Sequence, residues 1–291
     1  YGIPKYKDLI LNNLIDVKED GSFRLNMKYF NYATGLTMTN KNFSDLFDEP
    51  VRDAKKDKLT QFHMDIAASI QSVTEEIVLK LTKFISREYN IKNLCLAGGV
   101  ALNCVANGKI LKDKKFKNIW IQPASGDAGG SIGAALAYWH NSLGNERNIN
   151  DQDLMKGSFL GPKFNEQQIE DDLNDLSAVY RKLEYADMIS LTAKAISKEK
   201  AIGWFQGRME FGPRALGARS ILGDPRSSKT QKNLNLKVKY RESFRPFGPS
   251  ILENKASDWF DIDVKSPYML LVAEINKSLK IKMTEEQKNL F

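Results

Sequence analysis

Residues 93–139 pass twice through one pattern: a short apolar strand, a glycine-rich turn and a helix. Asn93-Leu94-Cys95-Leu96-Ala97 reads as a buried strand, Gly98-Gly99 as its turn, and Val100 to Leu111 as a helix. Asn118-Ile119-Trp120-Ile121-Gln122 is the second strand, Pro123 to Gly130 its loop, and Ser131 to Trp139 an Ala-rich helix. A helix that carries the chain back between two strands makes those strands parallel, so the pattern predicts an α/β domain.

The flanking sequence extends this outline. Phe62, Ile66, Ile70, Val73, Ile77, Leu81 and Phe84 recur at spacings of three and four, which predicts a helix over 61–88 with one apolar face. Ser22 to Met27 alternates in a strand-like way. Asn141, Gly144, Asn145, Asn148 and Asn150 mark a polar linker over 141–160. Beyond it, helices are predicted over Asn165 to Leu176 and Ala186 to Lys198, the latter with Ile189, Leu191, Ala195 and Ile196 inward. Ala201 to Phe205 is predicted as a buried strand and Tyr268 to Ala273 as another.

A length of 291 residues suits two domains. The break falls near 143–160, giving domains over 1–142 and 161–291. With 42% hydrophobic and 27% charged residues the composition is that of a globular chain. No apolar run reaches the roughly 18–20 residues of a membrane helix, so no membrane partner is expected. Cys95 and Cys104 make no disulfide framework, which favours a reducing, cytoplasmic setting. Cys95 lies in an apolar strand, where a thiolate is disfavoured. The chain opens at Tyr1 rather than Met, without a basic stretch leading into an apolar core, and reads as part of a longer protein. Glu285 to Phe291 carries no terminal signal. The formal net charge of +7 is spread along the chain, with one concentration: ten Lys or Arg between Arg208 and Arg245.

Three segments carry chemistry. In Leu96-Ala97-Gly98-Gly99-Val100-Ala101-Leu102-Asn103, paired glycines between strand and helix let backbone N–H groups face an anion. A bare tight turn explains that pair equally well. In Ser125-Gly126-Asp127-Ala128-Gly129-Gly130, an acid sits inside a loop that opens a helix. Asp127 there suits a metal ligand beside a nucleotide, or a simple N-cap. Gly207 to Arg226 sets Arg208, Arg214, Arg219 and Arg226 among four glycines and two prolines. Glycine exposes backbone, proline fixes it, and guanidinium forks match phosphate and carboxylate oxygens. Lys237, Lys239, Arg241 and Arg245 follow, with Phe244, Pro246 and Phe247 interleaved. A nucleic-acid surface is less favoured, since the segment lacks the aromatic stacking platforms of single-strand binders. His63 and His140 are the only histidines. Neither has a metal-pair spacing, and His63, beside Phe62 on a helix, reads as structural.

Taken jointly, these segments resemble the O-carbamoyltransferases of the nodulation protein U and cephem-carbamoyltransferase type. The matching stretches are Leu94 to Leu111, Gln122 to Ala137, Gly203 to Arg226 and Lys239 to Leu252. Tyr1-Gly2-x-Pro4 and Gly21 to Phe30 are similar to the family's middle region. The resemblance implies part of an actin-like ATPase (Kae1-like) domain followed by a YrdC-like α/β domain. It implies that carbamoyl phosphate yields carbamate, that carbamate and ATP give carbamoyl adenylate, and that the adenylate meets an acceptor hydroxyl. ATP, Mg²⁺ and, in the full-length protein, an Fe²⁺-type divalent metal are the implied cofactors. Gly98, Gly99, Asn103, Gly126 and Gly129 match the nucleotide loops, and Asp127 the metal-ligating aspartate. Arg208, Arg214, Arg219, Lys239 and Arg245 would hold carbamoyl phosphate and the ATP phosphates. The family's metal site also draws on a His-x-x-x-His pair, which this sequence lacks.

Two alternatives stay open beside this expectation. One is a tRNA-directed carbamoyl-type transfer, which the charge permits although nucleic acid is the less favoured partner. The other is a non-catalytic nucleotide-binding module. The small-molecule hydroxyl acceptor is not readable from the sequence, and a homodimer is compatible with it.

Overall fold

The computed structural model describes residues 1–149 and 152–284. Asn150 of the expected linker and the stretch from Glu285 to Phe291 lie outside the described residues. Among the described residues no helix is long and apolar enough to cross a membrane. Contacts group the chain into two units that do not follow chain order. One holds Tyr1–Cys95, Val105–Trp120 and the described residues from Lys280, and the other holds Leu96–Cys104 and Ile121–Leu279.

The first unit is organised by one long helix. Helix α1 spans Lys7–Asn13, strands β1 and β2 span Ile15–Val17 and Phe23–Leu25, and α2 spans Lys41–Phe47. Helix α3 runs over Gln61–Tyr89, within a residue of the span the periodicity predicts. Its start is fixed by a capping box in which the His63 ring Nδ1 meets the Thr60 hydroxyl at 2.8 Å and accepts the Thr60 N–H at 3.1 Å. That contact gives His63 the structural role expected of it. The helix ends at Asn90, whose φ of 49° is a left-handed cap that Asn tolerates.

Val73 and Ile77 of α3 join Ile10, Leu14, Ile15, Tyr29 and Phe47 in the core. Phe62, Ile66 and Leu81 pack against it, but Ile70 is half exposed, so the apolar face is narrower than predicted. Tyr6 sits edge-on between Phe47 and Phe62, with ring centroids 5.6 and 5.5 Å away. Strands β1 and β2 pair antiparallel, Ile15 opposite Leu25. Only Phe23–Leu25 of the predicted Ser22–Met27 strand is extended, because Met27 already begins a 3₁₀ turn capped by Asn26.

Strand β3 (Asn93–Leu96) pairs with β4 (Asn118–Ile121). Flanking bonds run from Lys117 N–H to Lys92 O and from Gln122 N–H to Leu96 O. Both partners advance together along the sequence, which is the parallel arrangement the repeated pattern requires. Only Leu94 of β3 is buried. Cys95 is exposed, contrary to its expected apolar surroundings, because alternate strand residues face opposite sides. The predicted helix over Val100 to Leu111 is broken: a 3₁₀ turn over Gly99–Leu102 ends at Asn103, and α4 occupies Cys104–Asp113.

The second unit carries α5 (Asp127–Ala137), α6 (Glu166–Asp175), α7 (Tyr185–Ile196) and two short helices, α8 (Thr230–Asn233) and α9 (Ala256–Trp259). Asn165 caps α6 by a reciprocal box with Gln168. Helix α7 buries no residue, and Ile189 and Leu191 are exposed rather than inward. Strands β5 (Ile202–Phe205) and β6 (Arg219–Leu222) pair antiparallel, with Ile202 opposite Leu222 and Phe205 opposite Arg219. β5 alternates between half-buried and exposed residues, so it is not the buried strand predicted. Tyr268 to Ala273 is no strand either. Tyr268 and Leu270 are buried alternately, but no ladder forms, and the Val272 N–H goes to Cys104 O instead.

Candidate functional site

The arginine-rich segment is the connection between β5 and β6. Pairing extends by one bond past the strands, from Gln206 N–H to Ala218 O at 2.9 Å, and then the chain opens into a loop. Glu210 sits at its centre, with its side chain fully out of solvent. One carboxylate oxygen accepts the N–H groups of Leu216 at 2.5 Å and Ala218 at 2.8 Å. The other accepts Arg219 Nε–H at 3.3 Å. Burial pushes the Glu210 carboxyl up, but the two amides and the Arg219 charge outweigh it and hold the group below its ordinary value. Arg219 Nη2 also donates to Gly212 O at 2.6 Å, so this arginine stitches the loop to itself.

Arg214 points elsewhere. Its Nη2 donates to Leu102 O at 3.3 Å, which ties the arginine loop to the Gly98–Asn103 turn within the same unit. Its Nε is buried and has no hydrogen-bond partner. A buried donor without a partner costs free energy, so such a group marks a place where a ligand or water would be accepted. Ser125 presents a second case: the residue is 5% exposed and its hydroxyl is also unpartnered. The two loops are close here, since a Cβ on Gly212 would stand 3.2 Å from Ala124 Cβ. Gly212 has a φ of 126°, so glycine is needed for the turn as well as for the approach.

The remaining predicted residues divide by what they touch. Gly98, with φ 95°, and Gly99 have open space where a side chain would stand. That leaves room for a ligand to reach the backbone. Asn103 closes the 3₁₀ turn by donating its N–H to Val100 O. Gly126 caps α5 and Asp127 begins it, exposed to solvent. Gly129 has a packing reason to be glycine, because a Cβ would lie 2.2 Å from Ala124 O. Arg208 is exposed and donates to Gly161 O at 2.7 Å. Arg245 pairs with Glu242 at 2.7 Å, and Lys239 is exposed. All of these residues fall in the second unit.

Among the described residues no three His, Cys, Asp or Glu side chains converge to hold a metal ion. Asp127 therefore belongs to no such cluster, and the described residues do not form a fitting metal site.

Sequence reasoning singled out neither Glu210 nor Ser125. The signal for Glu210 was available: an acid inside a basic segment, immediately before Phe211-Gly212-Pro213. Nothing comparable marks Ser125. The clasp in which Tyr268 donates its hydroxyl hydrogen to Asp153 and accepts the Gly157 N–H joins residues over a hundred positions apart and leaves no local trace. Burial raises the Tyr268 phenol above its ordinary range, and the Asp153 carboxylate adds to that.

Residues 1–136 match the family model described as the carbamoyltransferase N-terminus, and residues 193–287 match that of the carbamoyltransferase C-terminus. An uncharacterised protein of Synechocystis is 58% identical over all of this chain, which covers 48% of that relative. Nodulation protein NolO of Bradyrhizobium diazoefficiens is 40% identical over 75% of the chain and 40% of its own length. Nodulation protein U of Rhizobium fredii is 32% identical over 66% of the chain and 31% of its own length. The chain thus spans about half the length, or less, of these curated relatives. With both models matched and an α/β architecture around the loops, the chain belongs to the carbamoyltransferase family.

Proposed function

We propose that the protein of which this chain is part is an ATP-dependent O-carbamoyltransferase. Carbamoyl phosphate and water give carbamate and phosphate. Carbamate attacks the α-phosphorus of ATP, forming carbamoyl adenylate and releasing pyrophosphate. An acceptor hydroxyl of a small molecule then attacks the carbamoyl carbon, and AMP leaves. Carbamoyl phosphate and ATP both carry phosphate, and the two early steps release phosphate and pyrophosphate anions.

The observation that carries the reading is Arg214. Its guanidinium bridges the arginine loop and the Gly98–Asn103 turn, and its buried Nε is left without a partner. A bound phosphate oxygen would satisfy that donor, and the open backbone of Gly98 and Gly99 would offer N–H groups nearby in sequence to Leu102. Fixed donors of this kind stabilise charge as it develops, without reorganising during the reaction. Arg208, Lys239 and Arg245 are then the outer, solvent-facing cations that draw anions in. Gly126, Gly129 and Ser125 shape the second glycine loop, and Asp127 stays a proposed metal ligand only for the longer protein.

The test is isotope exchange. Labelled pyrophosphate should enter ATP only when carbamoyl phosphate is present, because the adenylate must form and reverse. Exchange that is absent with carbamoyl phosphate, or equal without it, would overturn the adenylate route.

A further inference from the structure

The arginine loop has very little ordinary secondary structure to hold it. Between the last ladder bond and β6 it contains Gly207, Gly212 and Gly217, residues that turn the chain but do not fix one conformation. Its first limb is tied by backbone bonds, Met209 to Gly161 and Pro162 and Phe211 N–H to Ser158 O, and beyond Phe211 the most connected single group is one carboxylate. Glu210 takes the amides of Leu216 and Ala218 on one oxygen and Arg219 on the other. Arg219 in turn grips Gly212 O at 2.6 Å and reaches Arg214 O at 3.5 Å. Glu210 thus touches both ends of the 211–218 stretch, directly at its C-terminal end and through Arg219 at Gly212. Arg214 lies between those two anchors.

This arrangement is an expensive way to gain stability. A fully buried carboxylate loses its hydration, and its charged partner is one-third exposed. A well-packed apolar residue would often do as well or better in a core. The arrangement makes sense where one loop geometry matters.

We propose that Glu210 is the positioning residue of this site: its buried carboxylate fixes the loop so that Arg214 meets a phosphate-bearing substrate in one orientation. The inference rests on the reading of the loop as an anion site. Glu210 itself touches no substrate in this account. It acts through Arg219 and the Leu216 and Ala218 amides on Arg214.

The experiment is a double-mutant cycle read by calorimetric titration with carbamoyl phosphate. Glu210→Gln keeps the shape but sets an amide N–H₂ or an uncharged oxygen against Arg219. It is expected to weaken binding at least about tenfold while the protein stays folded by circular dichroism. In an Arg214→Ala background the same substitution is expected to cost no further affinity, because its effect runs through Arg214. A purely structural role would give losses that add. Wild-type affinity in Glu210→Gln, or additive losses across the cycle, would overturn the inference alone. Absence of binding by the wild-type chain would instead overturn the anion-site reading, and the inference with it. Should Glu210→Gln fail to fold, Arg219→Gln removes the same ion pair from its exposed end, and the same non-additivity with Arg214→Ala is expected.

Discussion

Arg226 closes its guanidinium on the Asp224 carboxylate, with Nε 2.9 Å from Oδ1 and Nη2 2.6 Å from Oδ2. The Arg226 backbone N–H reaches the same Oδ1 at 2.9 Å, although only one residue separates the two. This fork, with the arginine's own amide, holds the Asp224 carboxyl at about 2, against an ordinary 3.8. A carboxyl lowered in the folded state contributes stability above its unfolded value and loses it as pH falls through the folded one. Asp224→Asn is therefore expected to lower Tm by a few degrees at pH 7. The gap to the wild type should narrow below pH 4 and close near pH 2. Thermal melts across that range check it, and a pH-independent gap would contradict it.

Lys109 of α4 pairs with Glu75 of α3, which is 7% exposed and also accepts Gln71 Nε2 at 2.8 Å. Removing the lysine leaves a buried carboxylate without its cation. Because the lysine is half exposed, Lys109→Met should cost about 1–2 kcal/mol rather than the full penalty of a buried pair. Adding Glu75→Gln should recover part of that loss. Urea unfolding of the single and double variants measures both.

How legible these features were in the sequence depends on how local their causes are. Helix α3 was readable because its periodicity is written along one contiguous stretch. The parallel β3–β4 pair followed from the repeat. Burial was less readable: α7 has the right spacing, yet among the described residues it buries nothing. Periodicity marks which side of a helix is apolar, not whether something covers it. The Tyr268 to Ala273 segment is a continuous apolar run, as a strand can be, but it buries Tyr268 and Leu270 without any ladder. The arginine loop's composition was legible, whereas Glu210's role was not. Its three donors lie six to nine residues later and meet it only after the chain has turned at Gly212 and Gly217.

Val73 and Ile70 occupy the same predicted face of α3 but differ in the structure, 0% against 50% exposed. Val73→Ala is expected to destabilise by about 2 kcal/mol, from lost transfer energy and a cavity. Ile70→Ala should stay within about 0.5 kcal/mol. Chemical denaturation of the two variants separates the contributions, and equal losses would contradict the burial seen here.

Gly98 and Gly99 make a matched pair of a different kind. Neither has a neighbour where a Cβ would stand, but only Gly98 has a positive φ, at 95°. Gly98→Ala should destabilise by roughly 1–2 kcal/mol through backbone strain alone. Gly99→Ala should leave stability within about 0.5 kcal/mol. If phosphate approaches this turn closely, Gly99→Ala still weakens carbamoyl phosphate or ATP binding about tenfold. Unchanged binding in a folded Gly99→Ala protein would place the phosphate away from this turn.

Arg214 is the most direct point of attack on the site. Calorimetric titration with carbamoyl phosphate, with and without ATP and Mg²⁺, should give saturable binding for the wild-type chain. Arg214→Ala should lose at least about tenfold in affinity, the scale of a charge-assisted hydrogen bond. Equal affinity in the two proteins would contradict the assignment of the arginine loop as the phosphate site.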